Sequence, residues 1–203
     1  MTATPIQSPI DLRRVAPWAL AAVLVSVALI LQVSVFDAFA WRGTVPDLVL
    51  LVVVAGALVR GSHFGLVLGF AAGVLVDLAP PSDHLAGRWA LALLLIGYVA
   101  GRVREATVDE TGRPAELRLP TVLATAVACS FAGLSIFALS GVILRDPPLP
   151  MDDLLQPILG GLVWDAVLAA LVVPAAMLAF RRLVPDAAPD LTPGPTPRPT
   201  PET

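Results

Sequence analysis

The residues of this chain that could do chemistry are few, and most are acids set in apolar surroundings. Asp165 lies in "ILGGLVWDAVL", about 11 residues into a long apolar run, or roughly 16 Å along a helix. An ionised acid at that depth in a membrane costs at least about 2.5–3.5 kcal/mol. Asp165 is therefore expected to be protonated, paired, or turned to a polar cavity. The chain has no lysine and its arginines sit at the ends of the apolar runs. The candidate hydrogen-bond donors are Tyr98, Trp164 and the hydroxyls of Thr121, Thr125, Ser130, Ser135 and Ser140. Asp77 closes "GVLVD" (Gly73 to Asp77), which echoes "GLVWD" (Gly161 to Asp165). An inverted repeat of that kind is a transporter device, although five residues are too few to establish one. In "TVPDLVLL", Thr44 or Asp47 can cap the free N–H groups of a helix and Pro46 suits its first turn. Asp47, Asp77, Asp83, His84 and Arg88 are expected to form a polar rim.

Much chemistry is missing. There is no H-E-x-x-H, P-loop or nucleophile elbow. His63 and His84 fall on opposite sides of the layout below and cannot share a metal. Cys129 is the one cysteine, so no intrachain disulfide forms. The sequence nominates no catalytic residue, metal ligand or cofactor-binding residue, and it reads as a protein that is not an enzyme.

The elements that carry these residues are membrane helices. The chain is 57% hydrophobic and only 14% charged, with net charge −3. That is too few charges to coat a water-facing surface, against roughly 25% in soluble domains, and there is no basic field for nucleic acid. Apolar runs fall at about 17–36, 46–59, 64–79, 89–103, 121–144 and 156–180. A spanning helix needs about 20 apolar residues. The second and third runs are shorter and read as a tight hairpin turning at Arg60 to His63. The fold class is all-α, a polytopic membrane protein with six transmembrane helices. "AFAWRG" at 38–43 resembles a cleavage site, but the preceding run of about 19 residues exceeds the usual signal core of about 7–15, so it is kept as the first span.

Ten arginines fall on the side of the termini and three (Arg42, Arg88, Arg145) on the other. This places both termini in the cytoplasm. The organisation is a cytoplasmic N-terminal segment 1–16, a six-helix domain 17–182, and a disordered Pro-rich cytoplasmic tail 183–203.

In "GSHFGLVLGFAAGVLVD" a glycine recurs every fourth residue: Gly61, Gly65, Gly69, Gly73. Positions four apart share a helix face, so this row strips one face to backbone and lets a second helix approach closely. Lipid offers no hydrophobic drive between helices, and close packing must supply the attraction. The third helix is expected to be the packing centre of the bundle. The fourth carries a shorter pair, Gly97 and Gly101.

The ordered combination of Pro46-Asp47, Arg60-Gly61, Gly69-Phe70-x-x-Gly73-x-x-x-Asp77 and Gly87…Gly97-Tyr98 resembles the bacterial rod-shape-determining MreD family in its actinobacterial form, over about residues 15–180. The N-terminal "LQVSVF" is similar too. The resemblance implies a non-enzymatic plasma-membrane member of the peptidoglycan-synthesising elongation complex, beside MreC, RodA and a class B penicillin-binding protein. It also implies a fold like the membrane substrate-binding component of energy-coupling-factor transporters. It brings no catalytic residue, and it leaves self-association and the Pro-rich tail open. The alternative function is a solute-binding or transport protein, with Asp165 and Tyr98 lining an outward pocket and Asp47 and Asp77 at its mouth.

Overall fold

A computed structural model describes residues 12–36, 45–79, 86–107, 115–143 and 151–183. The extreme N-terminus, the Pro-rich tail, Asp83 and His84 lie outside the described residues. Among the described residues every regular element is a helix: α1 (Leu12–Leu31) running into a π turn (Gln32–Phe36), α2 (Leu48–Arg60), α3 (Ser62–Leu78), α4 (Arg88–Ala106), α5 (Leu119–Ile143) and α6 (Met151–Leu183).

Among the described residues three stretches are long and apolar enough to cross a bilayer: Val15–Val35, Leu119–Ser140 and Leu159–Leu183. Their outward faces are apolar. On α6, Leu159, Val163, Val167 and Leu171 recur at every fourth residue and are all exposed. A contiguous apolar surface on this scale would not persist in water. The arrangement is that of a polytopic membrane protein.

The helix at the centre is α2. Every residue from Leu48 to Val59 is buried. Helices α1, α3, α4, α5 and α6 all touch α2 and form a ring around it, each also contacting its neighbours in the order α1–α3–α4–α5–α6–α1. The expectation that the third helix is the packing centre is therefore corrected. The reason is visible in composition: α2 reads "LVLLVVVAGALV", apolar on every side, and a helix apolar all round is buried all round. Its 13 residues reach only about 20 Å, short of the roughly 30 Å hydrocarbon core. Both of its polar ends must then be satisfied by protein rather than by water.

The glycine strip of α3 is one-sided and faces α4. A Cβ placed on Gly65 would fall on the Gly97 carbonyl, and one on Gly97 would fall on the Gly65 carbonyl. At Gly69 it would come within 2.6 Å of the Leu93 carbonyl carbon, and at Gly73 within 2.6 Å of the Ala90 nitrogen. At Gly101 it would meet the backbone of Ser62. In each case the obstacle includes backbone, which cannot move aside as a rotamer can. The two helices run antiparallel with their main chains in contact. The opposite side of α3 presents Val67, Phe70 and Leu75, all exposed.

Gly61 differs from the other three. It lies in the turn between α2 and α3, not on the helix face, and its φ of 91° is one that residues with a Cβ rarely adopt. There it lets two helices reverse within a single residue.

Gly56 of α2 is a useful contrast. A Cβ there would sit 2.9 Å from the Leu68 Cδ2 atom and 3.3 Å from the Phe64 ring, both ends of movable side chains. Gly56→Ala is expected to leave the melting temperature within a few degrees of wild type, because the alanine gains about 0.8–1 kcal/mol of helix propensity against a minor repacking. Gly69→Ala is expected to lower it clearly.

Candidate functional site

Asp47, Asp77 and Asp165 do related work in this fold: each accepts hydrogen bonds from backbone N–H groups at the start of a helix. The first four N–H groups of any helix lack partners within it. In hydrocarbon no water can replace them, and each orphan costs several kcal/mol.

The start of α2 is held by its own N-cap and by two neighbouring elements, α6 and the π turn after α1. Asp165 of α6 accepts a hydrogen bond from the Asp47 backbone N–H at 2.7 Å. The Asp47 carboxylate turns back to accept from the Leu50 N–H at 3.0 Å, an ordinary N-cap. Gln32, in the π turn after α1, accepts from the Val49 N–H through Oε1 at 3.3 Å. Asp165 and Asp47 are both buried. At the other end of α2, Arg104 of α4 donates to the Leu58 carbonyl at 3.2 Å, a cation at the negative end of the helix dipole.

The well-formed hydrogen bond to Asp165 thus comes from a main-chain group. Tyr98 is exposed on α4. The hydroxyls of Thr125, Ser135 and Ser140 donate to carbonyls of their own helix, those of Thr121, Phe131 and Phe137. Of the named candidates, Ser130 of α5 is the one whose hydroxyl reaches Asp165: it is fully buried and close enough to the carboxylate to interact with it, though not in good hydrogen-bond geometry.

Asp77 performs the same service for α4. One oxygen accepts from the Gly87 N–H at 2.8 Å and the Ala90 N–H at 3.0 Å, and the other from the Trp89 N–H at 3.1 Å. The glycine strip and the acid at its end are parts of one device. The strip draws α3 against α4, and this brings the end of α3 to the beginning of α4. Asp77 is accordingly buried, with 4% exposure. Neighbouring Arg88 is buried too. It donates to the Ser140 hydroxyl at 3.1 Å and to the Phe137 carbonyl at 2.7 Å, and its guanidinium lies 4.0 Å from the Phe137 ring centre. Trp89 stacks on the same ring at 4.7 Å. The polar rim expected from Asp47, Asp77 and Arg88 is instead an interior latch between helices.

The far end of the α3–α4 pair mirrors this arrangement through a residue that the sequence reading missed. Glu105, past the apolar part of α4, accepts from the backbone N–H of Ser62 at 2.8 Å and from its hydroxyl at 2.6 Å. It also pairs with Arg102 at 3.1 Å. Asp77 on α3 caps α4, and Glu105 on α4 caps α3. The Ser62 hydroxyl and N–H, with Arg102, hold the Glu105 carboxyl below its ordinary pKa despite slight desolvation. A carboxyl whose folded pKa is lowered stabilises the fold above its unfolded pKa, and this contribution fades as pH falls through the folded value. Protection of the Ser62 amide from hydrogen exchange, corrected for intrinsic rate, is expected to decline through that acidic window in wild type. In Glu105→Gln it should be lower and flat.

Gln32 was also missed. Its signal was available: a lone amide within an apolar span is expensive there and marks a partner.

Among the described residues Asp165 is buried, with 2% exposure, and its carboxylate is bonded to main chain. The solute-binding alternative loses its main support on that point. Among the described residues no group of three His, Cys, Asp or Glu side chains is placed to hold a metal.

Comparison with family models matches the rod shape-determining protein MreD family over residues 12–182. The chain belongs to the MreD family. The match takes in all six helices and every capping acid described above. Membership assigns the chain to the shape-determining system of rod-shaped cells, and with the apolar helices it fits a plasma-membrane protein. Searches of curated proteins and of solved structures return no match. Likeness to the energy-coupling-factor component therefore rests on the resemblance alone.

Proposed function

We propose that this protein is a non-enzymatic integral scaffold of the cell-elongation machinery, which regulates shape by holding partner membrane proteins of the peptidoglycan synthesis complex. The observation that carries the reading is that its buried acids are committed to helix starts. Asp47, Asp77 and Asp165 all accept backbone N–H groups, so their carboxylates serve rigidity before reactivity. Such a body offers a fixed shape and long exposed apolar helix faces, which is what lateral partners in a membrane require.

In this reading both termini are cytoplasmic, in keeping with the bias of arginines toward that side. The partners are MreC, RodA and a class B penicillin-binding protein, with lipid as the surrounding solvent. Self-association through an exposed face is compatible with it.

The test is recovery of a tagged chain from gently solubilised membranes of rod-shaped cells. The three partners are expected to co-purify, and depletion of the chain should round the cells. Recovery of the chain alone after in-membrane cross-linking, with rods unaffected by its depletion, would contradict the proposal.

A further inference from the structure

The bundle has a cleft that the capping network does not use. It lies between α4 and α5 and encloses about 370 Å³, within the range of ligand clefts. Leu95, Val99 and Val103 form one wall, and Thr121, Ala124 and Ala128 form much of the other. The α5 wall is hollow because its residues are small, and Ala124 and Ala128 are exposed within it. Along α5 the cleft runs from Thr121 to Ile136, roughly 22 Å. That compares with about 15 Å for one leaflet of a 30 Å hydrocarbon core, so an extended acyl chain can lie along it.

Two arginines stand near one end of this cleft. Arg102 adjoins Val103 on α4 and its side chain is 61% exposed. Arg118 precedes Thr121 by three residues and is exposed. The first turn of α5 opens at the same end without an acidic residue, so the positive end of its dipole is not neutralised by its own side chains. Among the described residues the acids nearby are engaged: Glu105 with Ser62 and with one nitrogen of the Arg102 guanidinium, and Glu116 with Arg181 at 3.7 Å.

We propose that the α4–α5 cleft is a binding site for an anionic phospholipid. One acyl chain lies along the apolar cleft and the phosphate sits between Arg102, Arg118 and the start of α5. Shape alone would accept any acyl chain, and the arginines select the charge. The assignment stands apart from the scaffold proposal, since a lipid site serves a protein of any function.

Native mass spectrometry of the full chain, solubilised with equal amounts of phosphatidylglycerol and phosphatidylcholine of matched chains, tests it. Wild type should retain one phosphatidylglycerol with a preference of about tenfold or more, given the contribution of each arginine near an anionic headgroup. Arg102→Gln with Arg118→Gln should bring the two lipids close to parity. Ala128→Trp, which fills the cleft from an exposed position, should remove the retained lipid, and Ala124→Trp should act likewise. Leu171→Trp, on the exposed face of α6, should change nothing. Melting temperatures identify any variant that fails to fold. Equal retention of both lipids by wild type would overturn the proposal, as would full retention in a folded Ala128→Trp protein. A third overturning result is that Ala128→Trp lowers recovery of a partner protein and leaves lipid retention intact, which would make the cleft a helix-docking site.

Discussion

Gly69→Leu and Gly73→Leu should each separate α3 from α4 and abolish support of rod shape, while the protein still inserts in the membrane. The argument is steric. A single Cβ at Gly69 already lies within 2.6 Å of the Leu93 carbonyl carbon, and leucine adds three more carbons in the same direction. Overpacking in a core that can adjust costs about 1–3 kcal/mol. Here the obstacle is backbone, and relief requires the helices to move apart. The loss should exceed that range, because separation also pulls Asp77 from Gly87, Trp89 and Ala90 and Glu105 from Ser62. Insertion is spared because the apolar length of each helix is unchanged. Thermal unfolding in detergent, together with cell shape at matched membrane levels, measures both halves of the prediction. Normal rods at normal protein levels would show that the packing has been misjudged.

The second large effect falls on Asp165, and the choice of substitution separates two roles. Asp165→Leu keeps bulk and removes the acceptor, leaving the buried Asp47 N–H without its bond. An orphaned buried donor costs about 1–3 kcal/mol, and the start of α2 would loosen from α6. Asp165→Asn keeps a carbonyl oxygen of the same reach and can still accept that N–H. It should therefore remain close to wild type in stability and in support of cell shape. If Asp165 served as a proton carrier or solute ligand through its charge, Asn would fail as completely as Leu. Melting temperatures of the two variants, with cell shape beside them, decide between a capping acid and a reactive one.

Much of this fold was legible in the sequence because it depends on short-range periodicity. Six apolar runs gave six helices, and a glycine at every fourth position marked a face on which a neighbour could close. What could not be read was which neighbour. The strip at Gly65, Gly69 and Gly73 says that a backbone comes near. It does not say that the backbone is α4, because that depends on how the link after Ala79 returns. The role of Asp77 was hidden for the same reason: an acid is recognised as the cap of its own helix, and Asp77 caps the next one. Asp165 was noticed for its depth, but its partner is a main-chain N–H more than a hundred residues away, which no side-chain inventory includes. The central place of α2 was open to inference. Its uninterrupted apolar sequence was read for its shortness, when its lack of a polar face was the stronger signal.

Short helices inside a membrane protein raise a general difficulty, since each adds polar ends that lipid cannot solvate. This fold answers with carboxylates and an amide from neighbouring helices at the starts of α2, α3 and α4, and an arginine at the end of α2. The consequence for function is stiffness: a displacement of α6 or α3 is felt at the start of α2 or α4 through a hydrogen bond.

The contact between α3 and α4 underlies all of this, and it can be observed without altering a residue. Protein labelled with ¹³C only at glycine and reconstituted in bilayers should show, by solid-state NMR, a Cα-to-carbonyl cross-peak between Gly65 and Gly97, which are far apart in sequence and touch only if the two backbones meet. The account predicts that cross-peak alongside the sequential one from Gly160 and Gly161. A spectrum with the sequential peak alone, and with Gly65, Gly69 and Gly73 signals broadened by a paramagnetic lipid at mid-bilayer depth, would contradict it by placing the bare strip against acyl chains.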